Sequence, residues 1–174
     1  TEAPFNEILD QDRKNISYFG RKLSEAGGVM GIHGYNHNPL ALEGEIRFED
    51  YGYSPWSSKE DMTASLEYLK KTIEELFGDV NPKSYVAPSN LISKTGMEAV
   101  IEAFPEIEVF AGLYTSPSEP GLFLQEFGPN PEFEQIYNTP RISSGYINSK
   151  ETMWNIFNGI AEFGIFNHYI HPDD

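Results

Sequence analysis

The segment GVMGIHGYNHNPL, Gly28 to Leu40, decides how the rest of the chain is read. Its first half, "VMGI", is a short apolar run that follows a Gly27-Gly28 stop and reads as a buried strand. Its second half carries His33 and His37, two of the chain's four histidines, set between glycines and ahead of Pro39. A strand that delivers the chain to polar residues is the pattern of α/β sheets, whose ligands gather at the C-terminal edge of the strands.

Working outward, residues 12–26 read as a helix with Ile16, Phe19 and Leu23 on one stripe. Residues 41–57 form a loop, marked by Gly44, Gly52 and Pro55. The strongest helix runs over 58–77, where Met62, Leu66, Leu69, Ile73 and Leu76 recur at spacings of four and three. Ser57 and Glu60 give it a capping-box pattern, and Gly78 closes it. "SYVAP" (84–88) is a second strand that ends at a proline. A helix over 94–104 follows, with Met97, Val100, Ile101 and Phe104 facing inward. "IEVFAGL" (107–113) is a third strand. Residues 114–133 are rich in Pro, Gly and Ser and hold a short extended piece, "LFLQEF". "EQIYNTPRIS" contains a further strand. A last helix covers 149–163, with Ser149 near its cap and Gly164 after it, and "IFNHYIHP" (165–172) is the last strand. This alternation predicts an α/β domain with a parallel sheet, open or closed into a barrel. Three polar clusters are then expected at one sheet edge: His33/His37, Pro88–Asn90 and His168/His171.

A chain of 174 residues suits one domain with a real core. Its 39% hydrophobic and 14% aromatic content excludes a disordered chain. The formal net charge of −15 disfavours nucleic-acid partners and suits neutral or cationic ligands. The absence of cysteine removes disulfides, thiolate zinc sites and cysteine nucleophiles. No apolar run approaches the roughly 20 residues of a membrane span. The start at Thr1 and the stop at Asp174 lead us to expect a single domain, residues 1–174, excised from a longer polypeptide.

His-x-x-x-His can place two imidazoles on one face of a helical turn, close enough to share an ion. Gly31, Gly34 and Pro39 interrupt a long helix, so a single turn at the strand end is expected. Imidazole suits zinc and other borderline transition metals. A tight site needs at least one more ligand, typically a carboxylate; a hydrogen-bonded pair in a polar loop is the plain alternative. In an extended segment His168 and His171 point to opposite faces, and His171 is the candidate to face a pocket as a proton donor. Asp173 or Asp174 could orient it or supply a ligand, and capping of a following helix explains the two aspartates equally well.

The segment "GIHGYNH", after a helix and a short strand, resembles the His-x-x-x-His motif of the polysaccharide deacetylase family, part of the glycoside hydrolase/deacetylase superfamily. "YVAPSN" resembles that family's proline-containing groove motif, and "FNHYIHPDD" its terminal strand motif. Order and spacing agree over roughly residues 12–172, and the likeness is closest to an uncharacterised bacterial branch. The resemblance implies an incomplete or distorted (β/α) barrel and a metal-dependent hydrolase that removes acetyl groups from a polysaccharide. It implies His33 and His37 as ligands of a divalent transition metal, zinc first among them, and His171 as the general acid, beside which Asp173 is the further catalytic candidate. It implies Pro88 and Asn90 as lining the substrate groove, and Tyr35, in the loop after the first strand, is a further candidate to bind the sugar. A secreted or cell-envelope location follows from the resemblance alone.

Two family features depart. The paired aspartates of an earlier strand have no counterpart, since Asp10 and Asp12 precede a helix and suit an N-cap. Tyr85 stands where the family carries an arginine. Other readings are a non-catalytic carbohydrate-binding domain and a metal-free glycoside hydrolase. The first draws on Tyr35, Tyr51, Tyr53, Trp56, Tyr85 and Tyr114 as sugar-stacking aromatics. The second draws on Glu43, Glu45, Glu49, Asp50 and Glu126 as carboxylate pairs.

Overall fold

The computed structural model describes residues 10–46, 52–111, 114–116, 119–123, 127–140, 142–145 and 149–170. Helix α1 (Asp10–Glu25) precedes strand β1 (Gly31–Ile32), and α2 (Lys59–Phe77) precedes β2 (Ser84–Val86). Then come α3 (Lys94–Ala103), β3 (Val109–Ala111), the hairpin β4 (Tyr114–Ser116) and β5 (Glu119–Phe123), β6 (Gly128–Pro129) and β7 (Tyr137–Thr139). The chain closes with β8 (Ser143–Ser144), α4 (Lys150–Phe163) and β9 (His168–Tyr169). The five-stranded sheet has the order β1-β2-β3-β7-β6, parallel except for the edge strand β6.

The α/β reading with a mostly parallel sheet therefore holds. The predicted stripe on α2 is the core face: Met62, Leu66, Ile73 and Leu76 are buried, and Leu69 packs against them. Met97 and Val100 of α3 and Phe104, which follows it, meet them, with Ile101 partly buried. Tyr85 and Phe110, neighbours across the β2–β3 ladder, fill the sheet side of the core with ring centroids 5.4 Å apart. Burying each such side chain contributes about 1.5–3 kcal/mol.

Helix ends follow side-chain chemistry. Ser58, one residue later than the capping-box pattern places it, caps α2 by accepting from Asp61 N at 3.1 Å. Ser93 caps α3 and Ser149 caps α4 in the same way.

Two expectations are corrected. First, among the described residues the last strand does not join the five-stranded sheet. β9 pairs in parallel with β8 in a ladder of its own, which follows β7 in the chain. Asn167 ties this ladder to the end of β7, donating to the Thr139 carbonyl at 2.6 Å. Second, the stripe on α1 remains in solvent, with Phe19 62% and Leu23 68% exposed. The neighbouring side of α1 meets α2: Ser17 and Arg21 donate to the Leu76 carbonyl, and Gly20 admits the Phe77 ring. Carbonyls at a helix C-terminus lack intrahelical partners, so these donors satisfy them. Asp12 is exposed within α1 rather than preceding it.

The N-terminus of α3 presses on the chain just after His37. Ser93 N donates to the Leu40 carbonyl at 3.0 Å, and a Cβ on Gly96 would land on that same carbonyl. Gly96→Ala is expected to cost about 1–3 kcal/mol through overpacking. A lowered urea midpoint at unchanged m-value checks it.

Candidate functional site

Two turns leave the sheet side by side at its C-terminal edge. After β1, Tyr35 and Asn38 form an antiparallel bridge, and Asn38 N donates to the Tyr35 carbonyl at 3.1 Å. The residues between them, Asn36 and His37, have φ of 52° and 53°. Positive φ at both central positions marks a tight turn of the I′ class. The second turn follows β2. Leu91 N donates to the Pro88 carbonyl at 2.9 Å around Ser89 and Asn90, whose φ values are 50° and 59°. Among the described residues, these four are the non-glycine residues with positive φ. Each costs of order 1–3 kcal/mol, and such strain concentrates at functional sites.

The His-x-x-x-His pair is thus brought together by a reversing turn rather than by the helical turn its spacing predicts. The rings of His33 and His37 lie edge to face with centroids 4.9 Å apart, and both residues are exposed. His33 Nδ1 is 2.9 Å from the Val86 carbonyl oxygen, at the end of β2. A carbonyl only accepts, so this nitrogen carries the proton, and a neutral His33 has its lone pair on Nε2. That is the arrangement of metal-ligating histidines, which donate their other ring N–H to a carbonyl or carboxylate. His37 Nδ1 is 3.0 Å from the Tyr53 hydroxyl, which is 2.7 Å from Ser89 Oγ. The histidine turn and the Pro-Ser-Asn turn are therefore joined through Tyr53.

A groove of about 680 Å³ lies beside the histidine turn, lined by Tyr35, Asn36, Asn38, Tyr53, Trp56 and Asp61 among others, while His33 and His37 themselves do not line it. The segment that carries Tyr53 and Trp56 is anchored on the histidine turn. Trp56 Nε1 donates to the Pro39 carbonyl at 3.0 Å, Trp56 N to the Ala41 carbonyl at 3.0 Å, and Asn38 Nδ2 to the Ser54 carbonyl at 3.3 Å. Tyr35 packs edge-on against Tyr68 at 6.2 Å. Burial, with Tyr68 adding to it, raises the Tyr35 phenol above its ordinary range, so it stays neutral at physiological pH. Asp61 is the charged side chain among the described residues that line the groove. Aromatic rings, amides and one carboxylate suit a neutral or cationic polar ligand.

The other expected site residues are distributed as follows. Pro88 is fully buried, its ring filling the space that a side chain at residue 34 would need. Asn90 is half-buried, and its N–H donates to the Ala87 carbonyl at 2.9 Å. His168, on the separate β8–β9 ladder, contacts Ser143 Oγ at 2.7 Å and stacks on Phe166. His171, Asp173 and Asp174 lie outside the described residues, as do Tyr51, Glu49, Asp50 and Glu126. Tyr85 is fully buried in the core, which removes it from the sugar-stacking aromatics. The side chain of Tyr114 is not described. Glu43 is exposed, while Glu45 serves structure by accepting from Leu42 N and from the Thr95 hydroxyl.

The donor chemistry of His33 and His37 fits two positions of a zinc-type shell. Among the described residues no group of three His, Cys, Asp or Glu side chains could hold a metal ion. No helix among them is long and apolar enough to cross a membrane. The partners of His37 are not singled out by the sequence: Tyr53 is one of several loop aromatics, and Ser89 lies between Pro88 and Asn90 without a role of its own. The Ser-Asn pair after a proline was a turn signal that could have drawn attention to it.

The strain at Asn36 gives a direct test. Asn36→Gly is expected to be neutral or stabilising by up to about 1 kcal/mol, because glycine adopts positive φ freely. Asn36→Val is expected to cost about 1–2 kcal/mol, read from denaturant midpoints.

Residues 1–174 match the family model described as "Uncharacterised protein conserved in bacteria (DUF2194)". No curated protein and no solved structure matches the chain.

Proposed function

We propose that this chain, which belongs to that bacterial family, is a metal-dependent hydrolase domain that removes acetyl groups from a polysaccharide. The observation that carries the reading is the His33–His37 pair at a parallel sheet's C-terminal edge, with the His33 tautomer set by Val86. A divalent ion such as zinc, when bound, supplies carbonyl polarisation and an activated water. His33 and His37 hold it, and the groove lined by Tyr35, Tyr53 and Trp56 orients the sugar beside it. His171 protonates the departing sugar oxygen or nitrogen, with Asp173 orienting it.

The fold we propose for this reading is an incomplete or distorted (β/α) barrel. Its support is the parallel pairing of β1 with β2, β2 with β3 and β3 with β7, and the separate parallel β8–β9 ladder tied to the end of β7 by Asn167. This reading also requires a third metal ligand and a base besides the residues named above.

A second reading is favoured by the groove itself: glycan binding without turnover, by the same aromatic side chains. Acetate release from acetylated oligosaccharides in the presence of Zn²⁺ separates the two. On the first reading His33→Ala and His37→Ala each lower release by at least about 100-fold, with circular dichroism unchanged. Glycan binding that survives both substitutions, without acetate release by the unsubstituted chain, sinks the hydrolase.

A further inference from the structure

We infer that Tyr53 is a positioning residue that decides which nitrogen of His37 is available to an ion; this rests on the metal reading above. The two histidines are held differently. Val86 offers His33 a carbonyl, which fixes one tautomer. Tyr53 offers His37 a hydroxyl, which can donate or accept. That hydroxyl has one proton and, among the described residues, two neighbours, His37 Nδ1 at 3.0 Å and Ser89 Oγ at 2.7 Å.

The proton can be used in two ways. Donated to His37 Nδ1, it leaves a neutral His37 protonated on Nε2, which then cannot ligate. Donated to Ser89 Oγ, it lets the Tyr53 oxygen accept from His37 Nδ1–H, and the His37 lone pair is on Nε2. An ion on the pair selects the second arrangement, a chain running from His37 N–H to Tyr53 O–H to Ser89 Oγ. His33 is the preset ligand and His37 the adjustable one. The geometry favours this role because both ends of the chain are pinned in strained turns: His37 and Ser89 have φ of 53° and 50°. The turns hold the residues on either side of the Tyr53 hydroxyl, which suits a bridge between fixed points.

Co²⁺ titration of the full chain at one pH, followed by visible absorption, tests the inference. Tyr53→Phe is expected to weaken Co²⁺ binding by about 10- to 100-fold. Ser89→Ala is expected to weaken it in the same direction by less, and Tyr18→Phe on α1 to leave it unchanged. Long-range ¹H–¹⁵N spectra of the ion-free chain give the second readout. Tyr53→Phe should move the tautomer balance of His37 and leave that of His33 alone. Equal Co²⁺ affinity in Tyr53→Phe overturns the inference. So does an affinity loss with the His37 tautomer unmoved, which marks a merely structural effect. If the unsubstituted chain binds no more Co²⁺ than His37→Ala, the metal reading itself falls, and this inference with it.

Discussion

The contact on which the site depends is that of Gly34 with Pro88. Parallel pairing of β1 with β2 sends two chain segments out of the sheet next to each other. They can fold back on one another only if the first presents no side chain. A Cβ on Gly34 would lie 2.8 Å from Pro88 Cγ and 3.3 Å from the Tyr85 hydroxyl, and its φ of +76° is itself a glycine conformation. Given that contact, Ser89 comes within reach of Tyr53, and Tyr53 within reach of His37. Without it the two turns would separate, and the hydroxyl chain would lose one end.

Strong local signals made the scaffold legible. The stripe on α2 and its serine cap are statements about neighbours three and four residues apart, and the helix obeys them to within one residue. The same holds for α3 and α4. The strand-end position of His33 was also readable, because a short apolar run bounded by glycines has few other uses. What was not readable depends on separation along the chain. Tyr53 lies 16 residues from His37, and Ser89 lies 36 from Tyr53. No periodicity connects residues that meet only because a loop folds over a sheet edge. The turn type was hidden for a different reason. Spacing of four fits a helical turn as well as a reversal, and only the positive φ of Asn36 and His37 separates them.

The apolar stripe of α1 shows the limit of amphipathic reasoning. Periodicity says that Ile16, Phe19 and Leu23 share a face; it does not say which neighbour receives that face. Here the polar side of α1 meets the end of α2, where carbonyl groups need donors, and the stripe is left outward. On α4, Trp154, Phe157 and Phe163 are likewise more than half exposed. The well-packed body is therefore α2, α3 and the central strands, and the site is mounted on that body.

The brevity of β1 has a kinetic consequence. Two residues of strand supply few ladder hydrogen bonds, yet they must find partners far along the chain: His33 and Val86 are 53 residues apart. Closing a loop of that length takes chain entropy that so short a ladder cannot offset alone. α2 and α3 can form and dock first, because they are close in sequence and share the largest part of the core. β1 then joins a surface already in place, and the histidines assemble with it. A chain arrested before that step would have most of its core and none of its site.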